Sequence, residues 1–128
     1  MFKSKIIFLT LLVANSLLAN SAEDILQTHG CFSCHAIASQ KAGPAFAGIA
    51  KRNLRFEGSN AKATIINSIQ HGSHGKYPHF SMMEMPAFPE IATDDLNSVA
   101  DFILAQASKA KGHGGMGKGA GKMKGCAQ

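Results

Sequence analysis

The sequence predicts a small all-α domain, and three observations support that fold class. Segments 61–71 and 93–104 carry apolar residues at helical spacing. Residues that favour helix ends flank both segments. No segment shows the alternation of polar and apolar residues that is typical of a clear strand, and the chain has no internal repeat.

Two short helices are predicted in the first half of the chain. The first spans 22–28 and begins at a capping box formed by Ser21 and Asp24. The second follows a Gly-Pro turn signal at 43–44, and three of its apolar residues fall at helical spacing, Phe46, Ile49 and Ala50. Residues 52–60 are predicted to form a loop.

Two longer helices are predicted in the second half. One spans 61–71, with Asn60 as its N-cap and an apolar face made by Ile65, Ile66 and Ile69. Residues 72–92 are predicted to be irregular, because Pro and Gly interrupt them repeatedly. The last helix begins at Thr93, and its buried stripe consists of Leu96, Val99, Ala100, Ile103 and Leu104.

The run Cys31-Phe32-Ser33-Cys34-His35 has the C-x-x-C-H pattern of a c-type haem attachment site. Residues three and four apart share one face of a helical turn. Cys31 and Cys34 can therefore both form thioethers with the vinyl groups of one haem, and His35 can bind its iron. The pattern predicts one covalently bound haem c.

Three other interpretations of this run are weaker. A thioredoxin-like redox motif needs a βαβ context, and no strand pattern precedes Cys31. A structural zinc site needs four ligands, and the chain contains only one such cysteine pair. A simple Cys31–Cys34 disulfide is compatible with an oxidising compartment but leaves His35 unexplained.

Residues 1–22 have the pattern of a secretory signal peptide. Lys3 and Lys5 precede an apolar run over 6–18, and small residues at 19–22 mark a cleavage region. The run is shorter than the roughly 20 residues that span a bilayer, although retention as an uncleaved anchor is the alternative. The pattern predicts export, most simply to a bacterial periplasm.

The charge of the chain is unevenly distributed. Residues 23–108, the predicted haem domain, carry six basic and eight acidic side chains, a net charge of −2. Residues 109–128 carry five lysines and no acid, are rich in glycine, and are predicted to be a flexible tail. The high isoelectric point thus belongs to the tail and the leader, and it gives no support to nucleic-acid binding.

The tail leaves two questions open. Cys126 is an odd thiol in an exported protein, so it can pair between chains or stay free. Soft or borderline ligands in the tail, which suit Cu(I), raise a metal-handling or sensing function as a competing hypothesis; they are His113, Met116, Met123 and Cys126. A flexible Lys/Gly tail is the simpler explanation.

A methionine is expected as the second axial ligand, because a thioether opposite His raises the potential of electron-transfer haems. Met85 is the first candidate, since it lies fifty residues after His35 and immediately before a proline that restricts its backbone. Met82 and Met83 are alternatives. Histidine ligands are the remaining possibility, and the candidates are His71, His74 and His79.

Several motifs in order resemble those of the small bacterial class I cytochromes c: CFSCHAI, KAGPAF, IINSIQHGSHGKY, MPAFP and DLNSVADFILAQ. The resemblance covers about residues 22–107. It implies the class I cytochrome c fold, with three to five short helices wrapped around one covalently bound haem. It also implies His35 and Met85 as the iron ligands.

The resemblance assigns further roles. The carbonyl of Pro44 would accept a hydrogen bond from the second ring nitrogen of His35, Tyr77 would reach a haem propionate, and Phe102 would pack near the first helix. Related proteins often have an asparagine shortly after the M-P pair, where this chain has Ala87-Phe88. This departure concerns the tuning of the potential rather than the ligation.

The predicted function is one-electron transfer between periplasmic respiratory redox partners, such as a reductase or oxidase and a quinol-linked donor complex. The protein is expected to be monomeric, not an enzyme, and near a membrane only through partner complexes. A rim at Ala36 and Ala45, with Lys41 nearby, is a candidate docking surface. The alternative is a haem-bearing subunit of a larger periplasmic oxidoreductase or oxidase.

Overall fold

The computed structural model describes residues 20–110, which form a mostly α-helical domain. Its four α-helices are α1 (Ala22–Thr28), α2 (Phe46–Glu57), α3 (Ala61–His71) and α4 (Thr93–Ala105). Short 3₁₀ turns occur at Cys31–Ser33, Gly58–Asn60, Pro78–Phe80 and Gln106–Lys109. The predicted all-α fold class is confirmed.

Helix α1 begins at the predicted capping box. The Asp24 amide donates to the Ser21 hydroxyl oxygen at 3.1 Å, and the Ser21 amide donates to the Asp24 carboxylate at 3.3 Å. These bonds satisfy backbone donors that the first turn of a helix leaves unpaired. The helix buries Ile25 and Leu26, which brings the end of α1, and the Cys-containing segment after it, against the core.

Helix α2 is longer than predicted, and the loop expected over 52–60 is wrong. The helix continues to Glu57, where Gly58 with φ of +54° ends it. Asn53 lies one turn after Ile49 and is buried like Ala50, so the inner face continues through a polar residue. The apolar side chains of this stretch instead lie on the outside, which hides the helical pattern in the sequence.

Asn60 does not cap α3 with its side chain, contrary to the prediction. The 3₁₀ turn Gly58–Asn60 leads directly into the helix, and Asn60 already has helical backbone angles. The predicted apolar face is present, since Ile65 and Ile69 are buried. Gly72 follows the last residue of α3, with φ of +80°.

The segment predicted to be irregular contains two short strands that the sequence does not reveal. Strand β1 (Ser73–His74) pairs antiparallel with β2 (Glu84–Met85), and Ser73 is opposite Met85. Two-residue strands are too short to show alternation, so only the backbone pairing identifies them. The pairing ties Met85 to the end of α3.

One apolar core holds the helices together. Helix α4 packs against α1, α2 and α3. The cluster of buried residues consists of Ile25, Leu26, Phe46, Ala50, Ile65, Ile69, Ile91, Leu96, Val99, Ala100 and Ile103. Phe102, Cys31 and Met85 are partly buried against this cluster. The core therefore supports both the C-x-x-C-H segment and the strand that carries Met85.

Several predictions lie outside residues 20–110. They concern almost all of the signal peptide, and the tail with His113, Met116, Met123 and Cys126. Within the described residues, no helix is long and apolar enough to cross a bilayer.

Candidate haem-binding site

A mostly apolar cleft lies between the C-x-x-C-H segment, α2, α3 and β2. It encloses about 940 Å³ of empty space, including its open mouth. Four of the residues that the sequence singles out for the haem and its iron line this cleft: Cys31, Cys34, His35 and Met85. Pro44 and Tyr77 also line it. The fold thus brings together residues that are up to 54 positions apart in the chain.

The C-x-x-C-H segment forms a tight turn. Gly30, with φ of +69°, starts the 3₁₀ turn Cys31–Ser33. The amides of Cys34 and His35 both donate to the Cys31 carbonyl, at 3.2 and 3.0 Å. This turn places Cys31, Cys34 and His35 on the side that lines the cleft, as their spacing predicts. Burial raises the pKa of the Cys31 thiol.

His35 is held in one protonation state by its surroundings. Its Nδ1 lies 2.7 Å from the Pro44 carbonyl oxygen, the contact that the resemblance implies. Because a carbonyl only accepts, Nδ1 carries the hydrogen. Burial lowers the pKa of His35, which favours the neutral ring with a lone pair on Nε2. A metal-bound histidine needs this tautomer with an oriented ring.

Two neighbours fix the plane of the His35 ring. Phe46 stacks on it, with ring centroids 5.2 Å apart and an interplanar angle of 21°. The second neighbour is Gly43, because a Cβ at this position would lie 2.8 Å from His35 Cε1. The Gly43 amide also donates to the Cys34 carbonyl at 2.8 Å. The G-P-A-F motif therefore forms the packing around the imidazole.

The three candidate methionines differ in position. Met85 lies on β2 and lines the cleft, and Met83 lines the cleft as well. The side chain of Met82 is 90% exposed, and this residue does not line the cleft. The three candidate histidines are also exposed and do not line the cleft: His71, His74 and His79.

A polar corner closes part of the cleft. Asn53 is only 1% exposed, and its Nδ2 donates to the Ile49 carbonyl at 2.8 Å and to the Tyr77 hydroxyl oxygen at 3.3 Å. Lys76 Nζ donates to Asn53 Oδ1 at 3.3 Å. The Arg52 guanidinium lies over the Tyr77 ring, 5.2 Å from its centroid. Burial lowers the pKa of Lys76 and raises that of Tyr77.

These residues fit a covalently held haem. The cleft offers an apolar lining for a macrocycle, two cysteines on one turn, an unprotonated imidazole nitrogen and a thioether. Lys76 and Tyr77 supply donors for carboxylate groups at its polar corner. Among residues 20–110, no three His, Cys, Asp or Glu side chains are grouped so that they could hold a metal ion.

Sequence reasoning missed three features of this site. Asn53 lies in the segment 52–60 that the sequence predicts to be a loop, and no local pattern marks a buried asparagine. The sequence predicts Gly72 only as a helix stop, although a Cβ there would lie 2.7 Å from the Met85 carbonyl oxygen. The stacking of Phe46 on His35 joins residues eleven positions apart; the G-P-A-F motif next to Pro44 was the available signal.

Comparison with known proteins agrees with this geometry. The sequence model of the family described as Cytochrome c matches residues 20–107. Cytochrome c-551 of Pseudomonas aeruginosa is 31% identical over 105 residues, covering 77% of this chain and 93% of that protein.

Solved structures give the same result. Cytochrome c552 of Nitrosomonas europaea superposes with a TM-score of 0.58 at 25% identity, over 66% of this chain and 98% of that one. The class 1 cytochrome MtoD of Sideroxydans lithotrophicus has a TM-score of 0.54 at 20% identity, over 67% and 92%, and supports the fold. The chain therefore belongs to the cytochrome c family, as a small class I bacterial member with one covalently bound haem c.

Proposed function

We propose that this cytochrome c is a periplasmic one-electron carrier whose haem is attached through Cys31 and Cys34 and ligated by His35 and Met85. One observation carries the proposal: a single apolar cleft is lined by both cysteines, by an oriented neutral imidazole and by a thioether. When bound, the haem iron supplies a one-electron Fe(III)/Fe(II) couple.

The protein would hold the ligand side chains in place and keep water out of the apolar cleft. Pro44 and Phe46 fix the His35 ring, so its Nε2 lone pair would be held in one direction toward the iron. The β1–β2 pairing and the contact with Gly72 fix the backbone of Met85. If His35 and Met85 both bound the haem iron, no coordination position would remain for a substrate, which would suit electron transfer rather than catalysis.

The polar corner is the proposed site for the haem carboxylates. Tyr77 accepts a hydrogen bond from Asn53, so its own O–H can donate into the cleft. Lys76 lines the cleft and places a cationic donor beside Tyr77. These two side chains would bind the negative groups of the cofactor, whereas the rest of the cleft is apolar.

The cellular setting remains part of the proposal. The leader pattern of residues 1–22 supports export to the periplasm, followed by the cytochrome domain at 23–108 and the Lys/Gly-rich tail at 109–128. The proposed partners are a respiratory reductase or oxidase and a quinol-linked donor complex. The carrier would act as a monomer and approach the membrane only through such partners.

The proposal is tested first on the purified exported protein. A pyridine haemochrome spectrum typical of two thioethers, and a reversible one-electron redox titration, are expected. A folded protein without covalent haem, or a haem protein that cannot be reversibly reduced, would contradict the proposed function.

The axial ligand is tested by matched methionine variants. Met85→Ala should lower the reduction potential and convert the low-spin spectrum to high-spin, because the thioether ligand is lost. Met82→Ala is the control, since this side chain is 90% exposed. Met83→Ala tests whether Met83, the other methionine that lines the cleft, is the ligand instead. An unchanged potential in Met85→Ala would exclude Met85 as the ligand.

The alternative, a haem subunit of a larger periplasmic complex, predicts a different association state. A carrier that docks through weak charged contacts should purify alone at high salt. A stoichiometric partner that remains bound at high salt would favour the subunit alternative.

A further inference from the structure

We propose that a basic groove along α2 is the docking surface for an acidic patch on a redox partner protein. The groove is lined on the α2 side by Lys51, Arg52, Arg55 and Phe56 and on the other by Tyr77, Pro78 and His79. This inference rests on the proposed electron-carrier function and assigns to it a surface and a partner chemistry.

The basic groove lies next to the haem-binding cleft. Pro44, Tyr77 and Phe80 line both the cleft and the groove. Pro44 is also the residue whose carbonyl binds His35, the proposed iron ligand. These shared residues form part of the wall between the groove and the cleft. An electron would therefore have a short path between them.

The charge of the basic groove differs from that of the domain around it. Lys51, Arg52 and Arg55 fall within five consecutive residues, and none of the acidic residues within 20–110 lines the groove. Residues 23–108 as a whole carry a net charge of −2. The nearest acid in sequence, Glu57, interacts with Lys76. Such a local positive surface on a negative domain attracts and orients an acidic partner.

The side chains of the groove are those that protein interfaces favour. Phe56 is 65% exposed, unusually open for a phenylalanine. The Arg52 and Arg55 guanidinium groups lie 5.1 and 5.3 Å from its ring centroid. Arg52 also lies over Tyr77. Aromatic and Arg side chains that are already ordered lose little entropy on binding and are enriched at interface centres.

Ala110, the last of the described residues, also lines the groove. Lys41 is the basic residue next to the rim that the sequence suggested as a docking surface. Its Nζ donates to the Phe32 carbonyl at 2.7 Å, and Lys41 does not line the basic groove. Ala45 of that rim lines the basic groove. The docking surface thus centres on α2.

The first test uses the reduced full-length holoprotein and small oxidants of opposite charge. Arg55→Gln and Lys62→Gln each remove one positive charge from a helix, but Lys62 lies on α3 and pairs with Asp101 at 2.8 Å. Oxidation by hexacyanoferrate(III) at about 10 mM ionic strength should slow roughly fivefold in Arg55→Gln. Lys62→Gln should stay within about 1.5-fold of the unmodified protein.

The cationic oxidant tris(phenanthroline)cobalt(III) supplies the charge control. Its rate should not fall in Arg55→Gln, because losing a positive charge removes repulsion. Equal effects of hexacyanoferrate(III) on the two variants would overturn the docking surface while the redox titration leaves the proposed function intact. A protein that is not reversibly reducible would overturn the proposed function itself.

The second test identifies the class of partner. Hexaglutamate added to the ¹⁵N-labelled holoprotein should shift amide signals of residues 51–56, and Lys51→Gln or Arg55→Gln should weaken the shifts several-fold. Both positions are exposed, so these variants should fold. If phosphatidylglycerol vesicles bind the protein through these residues while hexaglutamate leaves the signals unchanged, the surface would be a lipid surface and the inference would be wrong.

Discussion

Gly72 lies directly against the backbone of Met85. A Cβ on Gly72 would be 2.7 Å from the Met85 carbonyl oxygen and 3.4 Å from the Ala87 amide nitrogen. Gly72 also has φ of +80°, a conformation that glycine adopts without steric cost. The end of α3 therefore fixes where the proposed thioether ligand enters the cleft.

The Gly72→Ala variant should destabilise the protein and disturb the Met85 ligand. The contact with a carbonyl oxygen has to relax by moving backbone, and we expect a loss of about 2–4 kcal/mol in the free energy of unfolding. Denaturant unfolding of the holoprotein measures this loss, and a redox titration measures the accompanying fall in potential.

Gly75→Ala is the control for backbone strain alone. Gly75 has φ of +67°, but a Cβ there would meet nothing within 4 Å. Its cost should be about 1 kcal/mol, and the potential should not change. If the two variants were equally unstable and had equal potentials, the close approach of Gly72 to Met85 would be unimportant.

The Gly43→Ala variant should displace the His35 ring. Its Cβ would lie 2.8 Å from His35 Cε1 and 3.2 Å from the Cys34 carbonyl oxygen, so the imidazole or its loop has to shift. We expect a lower yield of haem-loaded protein and a loss of about 1–3 kcal/mol in stability. Absorbance of covalent haem per polypeptide and denaturant unfolding provide the two measurements.

Gly48→Ala is the matched control for Gly43→Ala. Gly48 lies on an exposed face of α2, where a Cβ would meet nothing within 4 Å. Alanine is about 1 kcal/mol better than glycine inside a helix, so this variant should be more stable than the unmodified protein. A Gly43→Ala variant as stable and as fully haem-loaded as Gly48→Ala would contradict the role given to Gly43.

The sequence predicts local geometry in this chain well. The C-x-x-C-H segment acts within one turn, so its spacing alone predicts that Cys31, Cys34 and His35 face together. The start of α1 follows from a capping box of two residues. The link from His35 to Pro44 came from the resemblance instead, because no periodicity predicts a contact across nine residues.

Features that depend on tertiary packing were missed. The second half of α2 exposes Leu54 and Phe56 and buries Asn53, the reverse of an amphipathic pattern. The helix packs against α3 and α4, and Asn53 also bonds within the polar corner of the cleft. The β1–β2 pair was missed because two residues per strand carry no period.

Asn53 should stabilise the domain through Tyr77. Asn53→Ala removes the bonds to Tyr77 and Lys76 and leaves a small cavity, so the free energy of unfolding should fall by about 2–3 kcal/mol. Asn67→Ala, at an exposed position of α3, should change it by less than about 0.5 kcal/mol. Combining Asn53→Ala with Tyr77→Phe should reveal a coupling of about 1 kcal/mol. Strictly additive effects would show that the 3.3 Å hydrogen bond between Asn53 and Tyr77 contributes nothing to the free energy of unfolding.

Tyr77 should make the stability fall at alkaline pH. Burial raises the pKa of Tyr77 above its ordinary value of 10.0, against smaller opposing effects of Asn53 and Arg52. The folded state therefore holds the phenolic proton after the unfolded chain has lost it. The stabilisation is complete below about pH 10 and disappears as the pH rises through the pKa of the folded state.

The Tyr77→Phe variant isolates this contribution, because phenylalanine does not ionise. Denaturant unfolding from about pH 8 to about pH 12 should show a steeper loss of stability for the unmodified protein than for the variant. Tyr77 is the only tyrosine in the chain, so one ¹³C Cζ signal reports its ionisation directly. Parallel stability profiles, or a midpoint of that signal at or below pH 10.0, would show that the cleft does not hold the phenol in its neutral form.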